Sequence, residues 1–160
     1  TVITALIDKQ WMMRQGHWQR LHPYHFLMEI IVEKYTQFLE RKNDIGDIMP
    51  ESRGSKDNLL QVAFDNVRQR GCDFVNADRI RSKIRAPSLK FRTKKDNVSG
   101  LQLCDLLAHP SHMFVRKRMG HDVNLGPFAE KVSDILKQTK YDRSLRTGKI
   151  VGYGIKHLPQ

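Results

Sequence analysis

Cysteine is scarce in this chain: Cys72 and Cys104 are its only two among 160 residues. They form neither a C-x-x-C pair nor a disulfide-dense framework, which argues against cysteine-held zinc and for reduced thiols in a cytoplasmic protein. Long apolar runs are also lacking. None approaches the roughly 18–20 residues of a membrane span, and the amino terminus lacks the basic-then-apolar order of a signal peptide, so no membrane association is expected. Acidic residues are the third shortage, with 17 Asp and Glu against 28 Lys and Arg and a formal net charge of +11. Such an excess favours anionic partners, nucleic acid first. No RNA-recognition motif, zinc finger or helix-turn-helix signature accompanies it, so RNA and DNA both stay open as substrates.

What is present suffices for a core. At 39% hydrophobic and 28% charged, the chain is expected to fold as a single domain over residues 1–160. Val2–Ile7 is apolar and β-branched and reads as a strand, with Asp8 as a turn cap at its end. Because Thr1 leads straight into this strand, the chain is read as amino-terminally incomplete, its first strands absent. Gln10–His22, with Trp11, His17 and Trp18, shows no clean period, and its tryptophans are expected in packing rather than in stacking on bases.

Leu27, Ile30, Ile31, Tyr35 and Phe38 recur at helical spacing over Pro23–Lys42, with Pro23 suited to a first turn and Glu29 assigned to the surface. Ile45–Met49 alternates as a short strand. Leu59, Leu60, Ala63, Phe64 and Val67 share one face of a helix over Lys56–Arg70 that Gly71 ends. Phe74–Pro87 reads as a short strand plus a basic loop carrying Arg79, Arg81, Lys83 and Arg85. Leu89–Thr93 alternates as a strand with one wet face. Ser99 is placed to cap a helix over Gly100–Met119 that Pro110 should bend. A helix over Pro127–Gln138, a basic loop over Lys140–Lys149 and a short strand within Ile150–Leu158 complete the pattern. Strands separated by helices argue for an α/β fold, since parallel strands need long crossovers.

Two carboxylates stand out against this background. Glu51 opens Glu51-Ser52-Arg53-Gly54, where an apolar run gives way to a helix; it is suited either to a divalent metal or to capping that helix. Asp105 lies in Gly100-Leu101-Gln102-Leu103-Cys104-Asp105-Leu106-Leu107-Ala108-His109-Pro110. Leu101, Leu103, Leu106 and Leu107 around it are expected to be buried, so its charge would need a metal, a lysine or several donors. His109 follows at i+4 and His112 at i+7, which allows one helix face to hold all three. A hard cation prefers oxygen, so His109 is expected to orient Asp105 or a phosphate, and zinc on Asp105, His109 and His112 is the lesser alternative.

The order of a strand ending in Ile7-Asp8-Lys9, a long helix, ESRG, a helix, a strand and then K-K-x-N-x-x-G-L-Q-L-x-D-L-L-A-H-P resembles the domain of unknown function 3800 family over most of the chain. The resemblance implies a ribonuclease H-like fold, a mixed sheet flanked by helices. It also implies a metal-dependent nuclease in which acidic residues hold two Mg²⁺ or Mn²⁺ ions about 4 Å apart to cleave a phosphodiester. Glu51 and Asp105 would be ligands, and His109 would join them in catalysis. The family's amino-terminal Asp-Glu-Ser-Gly strand is absent from the sequence, so one ligand of the cage is missing. Arg53, Lys94, Lys95, Asn97 and Gln102 are expected to contact substrate, Arg53 through its planar fork and the lysines through charge. The alternative is a non-catalytic nucleic-acid-binding or assembly module, whose exposed sheet edge would recruit a partner chain or a second copy by strand addition.

Overall fold

The computed structural model describes residues 1–14 and 22–158; His17 and Trp18 lie outside them. The architecture is mixed α/β and mostly helical. The described residues contain one regular sheet, a parallel pair of β1 (Thr4–Ile7) and β2 (Ile155–Leu158) in the register Thr4–Ile155 to Ile7–Leu158. The larger mixed sheet expected from the alternating segments is represented otherwise by isolated bridges. None of the helices among the described residues is long and apolar enough to cross a membrane.

The chain divides into two compact units, Lys9–Val98 and Thr1–Asp8 with Ser99–Gln160. The Lys9–Val98 unit contains α1 (Lys9–Arg14), α2 (Pro23–Lys42), α3 (Asp57–Arg70) and α4 (Ala77–Lys83). Helix α2 begins with Pro23 in the first turn, capped by His22, whose Nδ1 accepts the Tyr24 N–H at 3.3 Å. It ends at Asn43, which takes the left-handed conformation and donates back to Glu40 and Leu39. Met28, Val32 and Leu39 of α2 pack with Ala63, Phe64 and Val67 of α3 and with Ile80, Ile84 and Leu89 to form the core of this unit.

Helix α3 stops at Gly71, as the sequence predicts. Its φ of +80° and the backbone of Val75 and Ala77, 2.9 Å from where a Cβ would stand, leave room for glycine alone. Helix α4 corrects the sequence reading, since Ala77–Lys83 is helical rather than a strand and basic loop. Asn76 caps it by accepting the Arg79 N–H at 3.0 Å, and Ile80 is its buried anchor.

In the other unit, α5 (Ser99–Arg118) runs continuously through Pro110 and packs against α6 (Pro127–Ile135). A wider turn over Leu136–Lys140 extends α6 toward the end that the sequence predicts. Val115, Leu136, Tyr141 and Ile155 form the buried centre, with Val2, Leu6 and Phe114 against them. A chain of hydroxyls crosses this unit: Thr4 Oγ1 lies 2.6 Å from Ser111 Oγ, which lies 2.7 Å from the Tyr141 hydroxyl. Burial pushes the Tyr141 hydroxyl above its ordinary pKa despite these bonds.

Candidate functional site

The segments expected as strands at 45–49 and 89–93 meet as an extended parallel pair within the Lys9–Val98 unit. Gly46 bridges Ile84 at one end and Glu51 bridges Arg92 at the other. Lys90 donates its N–H to Ile48 O at 3.0 Å, Arg92 to Pro50 O at 3.1 Å, and Ser52 to Arg92 O at 2.7 Å. Between the ends, the Ala86–Ser88 stretch loops out, pinned by the Ala86 N–H on Asp47 Oδ1 at 2.8 Å. Pro87 has no N–H to give a ladder, so the pair stays short of a regular sheet.

Glu51 thus stands at the carboxyl end of a parallel pair, just ahead of a helix, a place where open α/β structures commonly bind ligands. Its side chain is 15% exposed, and the Lys94 ammonium approaches its Oε1 to 3.8 Å. Helix α3 has no side-chain cap, so the alternative capping role for Glu51 is not filled; Asp57, in the first turn of α3, instead ties down the loop ahead of it. Asp57 Oδ2 accepts from Ser52 Oγ at 2.6 Å and its Oδ1 from the Arg53 N–H at 2.6 Å. The ESRG loop is therefore shaped by a residue that sequence reasoning passed over; the available signal was an acidic side chain in the first turn of α3.

On the other segment, Thr93 and Asp96 form a reciprocal capping box around the short turn Lys94–Asp96. Asn97 closes it in the left-handed conformation, its N–H on Lys94 O at 3.2 Å. Asn97 therefore has a structural task in the turn, and Lys94 and Lys95 are exposed on it. Arg53 is likewise exposed. The structure brings Glu51, Arg53, Arg92 and Lys94 to one end of the pair.

Of the basic series, Arg79, Arg81 and Lys83 make contacts within the fold, and the Arg85 side chain is exposed. Arg79 makes a bidentate pair with Glu40 at 2.8 and 2.7 Å, and its hydrogen bond holds the Glu40 carboxyl below the usual carboxylate range. Arg81 pairs with Asp78 and donates to Arg68 O, and Lys83 donates to Asp44 O. Glu29, expected at the surface, is partly buried. Desolvation, then the charges of Asp73 and Glu33, raise its pKa. Burial, then the charge of Glu33, pushes the Cys72 thiol up to about 11, which makes it a poor nucleophile at neutral pH.

In the other unit, Gln102, Asp105 and His109 all lie on the exposed side of α5. The expected burial around Asp105 is not found: Leu103 and Leu106 are each 54% exposed. Asp105 remains in contact with water, so the cost of an enclosed charge no longer argues for a metal there. Partial burial, then the charges of Arg116 and His109, lower the pKa of His112. Among the described residues, no group of three or more His, Cys, Asp or Glu side chains is placed to hold one metal ion, Asp105, His109 and His112 included.

Glu51 and Asp105 belong to different units. The donor set at Glu51 fits a hard cation sharing a single protein carboxylate, since Mg²⁺ is commonly held by one or two carboxylates with phosphates and water. It is not by itself a two-ion cage. No protein-family model, curated protein or solved structure matches the chain.

Proposed function

We propose that the chain is a divalent-metal-dependent nuclease of ribonuclease H-like type, in line with its resemblance to the domain of unknown function 3800 family. The observation that carries this reading is the arrangement at Glu51, a mostly buried carboxylate beside the Lys94 ammonium and two residues ahead of Arg53 in sequence. Bound there, Mg²⁺ or Mn²⁺ would supply charge neutralisation at a phosphodiester. Arg53 presents a planar fork matched to phosphate oxygens, and Lys94 and Lys95 present ammonium charge on the neighbouring turn. Asp105 is proposed as a second metal-binding carboxylate, with His109 and Gln102 on the same helix as its orienting and substrate-contacting groups.

A second reading is favoured by one observation. Lys94 already supplies Glu51 with a counter-charge at 3.8 Å, as suits a nucleic-acid-binding or assembly module that does not cleave. The two readings separate in a cleavage assay on labelled single- and double-stranded RNA and DNA with Mg²⁺, Mn²⁺ or chelator. The nuclease reading expects metal-dependent cleavage that Glu51→Gln and Asp105→Asn each reduce by about 100-fold or more while binding persists. Binding without cleavage under every metal condition would leave the second reading; cleavage unaffected by Glu51→Gln would remove Glu51 from the chemistry.

A further inference from the structure

The basic loop after α6 carries a feature that the Glu51 end of the Lys9–Val98 unit does not use. Ser144 is buried and organises a tight turn. It donates its N–H to Lys149 O at 2.9 Å, accepts the Gly148 N–H on its carbonyl at 2.9 Å, and accepts the Thr147 N–H on its hydroxyl at 3.2 Å. Gly148, at φ +67°, completes the reversal. The turn is thus fixed by its own hydrogen bonds, and it displays Leu145 at 84% exposure, the most open large apolar side chain among those described.

The exposed charged residues of the turn and of the Leu136–Lys140 segment before it are all basic. Arg146 and Lys149 are exposed on the turn, and Lys137 and Lys140 on the preceding segment. Arg143 ties the turn to that segment by donating from Nη2 to the carbonyls of Lys137 and Gln138 at 3.1 and 2.9 Å. Asp142 is buried, and no acidic residue follows it in the sequence. A rigid turn that carries one apolar apex among cations matches the wedge that minor-groove and unstacking proteins insert at a base step, flanked by phosphate contacts. An anionic bilayer fits less well, because surface anchoring draws on a broad apolar face and here a single leucine projects.

We propose that the Ser144–Lys149 turn is a nucleic-acid contact of its own, in which Arg146 and Lys149 bind phosphates and Leu145 wedges at a base step. The inference rests on the nucleic-acid reading given above, and adds a surface in the unit that does not contain Glu51. Its test is fluorescence anisotropy of the full chain with a labelled oligonucleotide across a salt series. Three variants are compared with wild type: Arg146→Ala with Lys149→Ala, Leu145→Ser, and Arg53→Ala with Lys95→Ala. All of these side chains are exposed, and Arg146→Lys controls for the loss of the side chain itself.

The first variant is expected to reduce the steepness of log affinity against log salt by roughly 1.4–1.8, the loss of two phosphate contacts. Leu145→Ser is expected to weaken binding about tenfold with the slope unchanged, as for a lost apolar wedge that carries no charge. Binding that only the Arg53 and Lys95 variant impairs would overturn this inference and leave the nucleic-acid reading intact. No binding by the wild-type chain would overturn both. Retention on phosphatidylglycerol vesicles without affinity for the oligonucleotide would also overturn it, assigning the turn to a lipid surface.

Discussion

The two units differ in how large a core they bury, although each leaves several large apolar side chains exposed, Phe74 at 66% in one and Leu145 at 84% in the other. In Lys9–Val98, α2, α3 and α4 bury a continuous core around Phe64, Val32 and Ile80, and several surface cations are tied down, Arg79 to Glu40 and Lys90 to Asp47. In the unit of β1, α5, α6 and β2, the buried centre is smaller. Leu103, Leu106, Phe128 and Ile135 stay more than half exposed. The proposed binding groups differ accordingly: Glu51, Arg53 and Lys95 in the first unit, and the projecting side chains of the Ser144–Lys149 turn in the second.

The contrast breaks most visibly at the cores. Phe64→Ala removes the largest fully buried side chain of the helical unit and is expected to destabilise it by about 3–5 kcal/mol, read from the midpoint of urea unfolding. A cost below 1 kcal/mol would mean that the core is looser than described. In the other unit, Gly154→Ala would put a Cβ 2.6 Å from the Asp142 N and O atoms. The expected loss is about 1–3 kcal/mol, since backbone has to give way; a neutral thermal shift would show that β2 is not held as closely as the Tyr141–Asp142 backbone suggests.

The Glu40–Arg79 ion pair gives the Lys9–Val98 unit a pH-dependent contribution to stability. Because the folded protein lowers the Glu40 pKa from 4.5, the pair's stabilisation is fully present above that value. It is lost as pH falls through the lower folded value. The partners are 28% and 43% exposed, so solvent screening limits the effect to roughly 1 kcal/mol. Glu40→Gln should remove that part of the acid dependence, measured as the difference in stability between pH 7 and pH 3. The smallest effect is expected at Leu106→Gln, where an exposed site should change stability by about 0.5 kcal/mol or less. A loss of several kcal/mol would show that the α5 face is covered in the working protein.

Much of the helical frame can be read in the sequence. The long period from Leu27 to Phe38 and the proline at its head place a helix from Pro23 to about Lys42, although its buried face runs through Met28, Val32 and Leu39, and Gly71 marks the end of α3. Helix α4 escapes because seven residues with one apolar anchor, Ile80, give no period; Asn76 ahead of Ala77 was the usable sign. The alternation at Ile45–Met49 and Leu89–Thr93 does reveal extended backbone. It cannot reveal that Glu51 bridges Arg92, because pairing over such a separation is set by packing on α2 and α3 rather than by neighbours in sequence. The same limit applies around Asp105, where leucines at helical spacing look like a buried stripe and are partly open to water.

The proposed nuclease role requires Glu51 to bind a divalent metal in competition with the Lys94 ammonium, and a Mn²⁺ titration measures this. Electron paramagnetic resonance of free Mn²⁺ would be followed during titration with the full chain in the presence of a cleavage-resistant phosphorothioate oligonucleotide. The predicted result is saturable binding in the wild type, at least tenfold weaker binding in Glu51→Gln, and tighter binding in Lys94→Met, where the competing ammonium is gone. Equal Mn²⁺ affinity in wild type and Glu51→Gln would contradict the account.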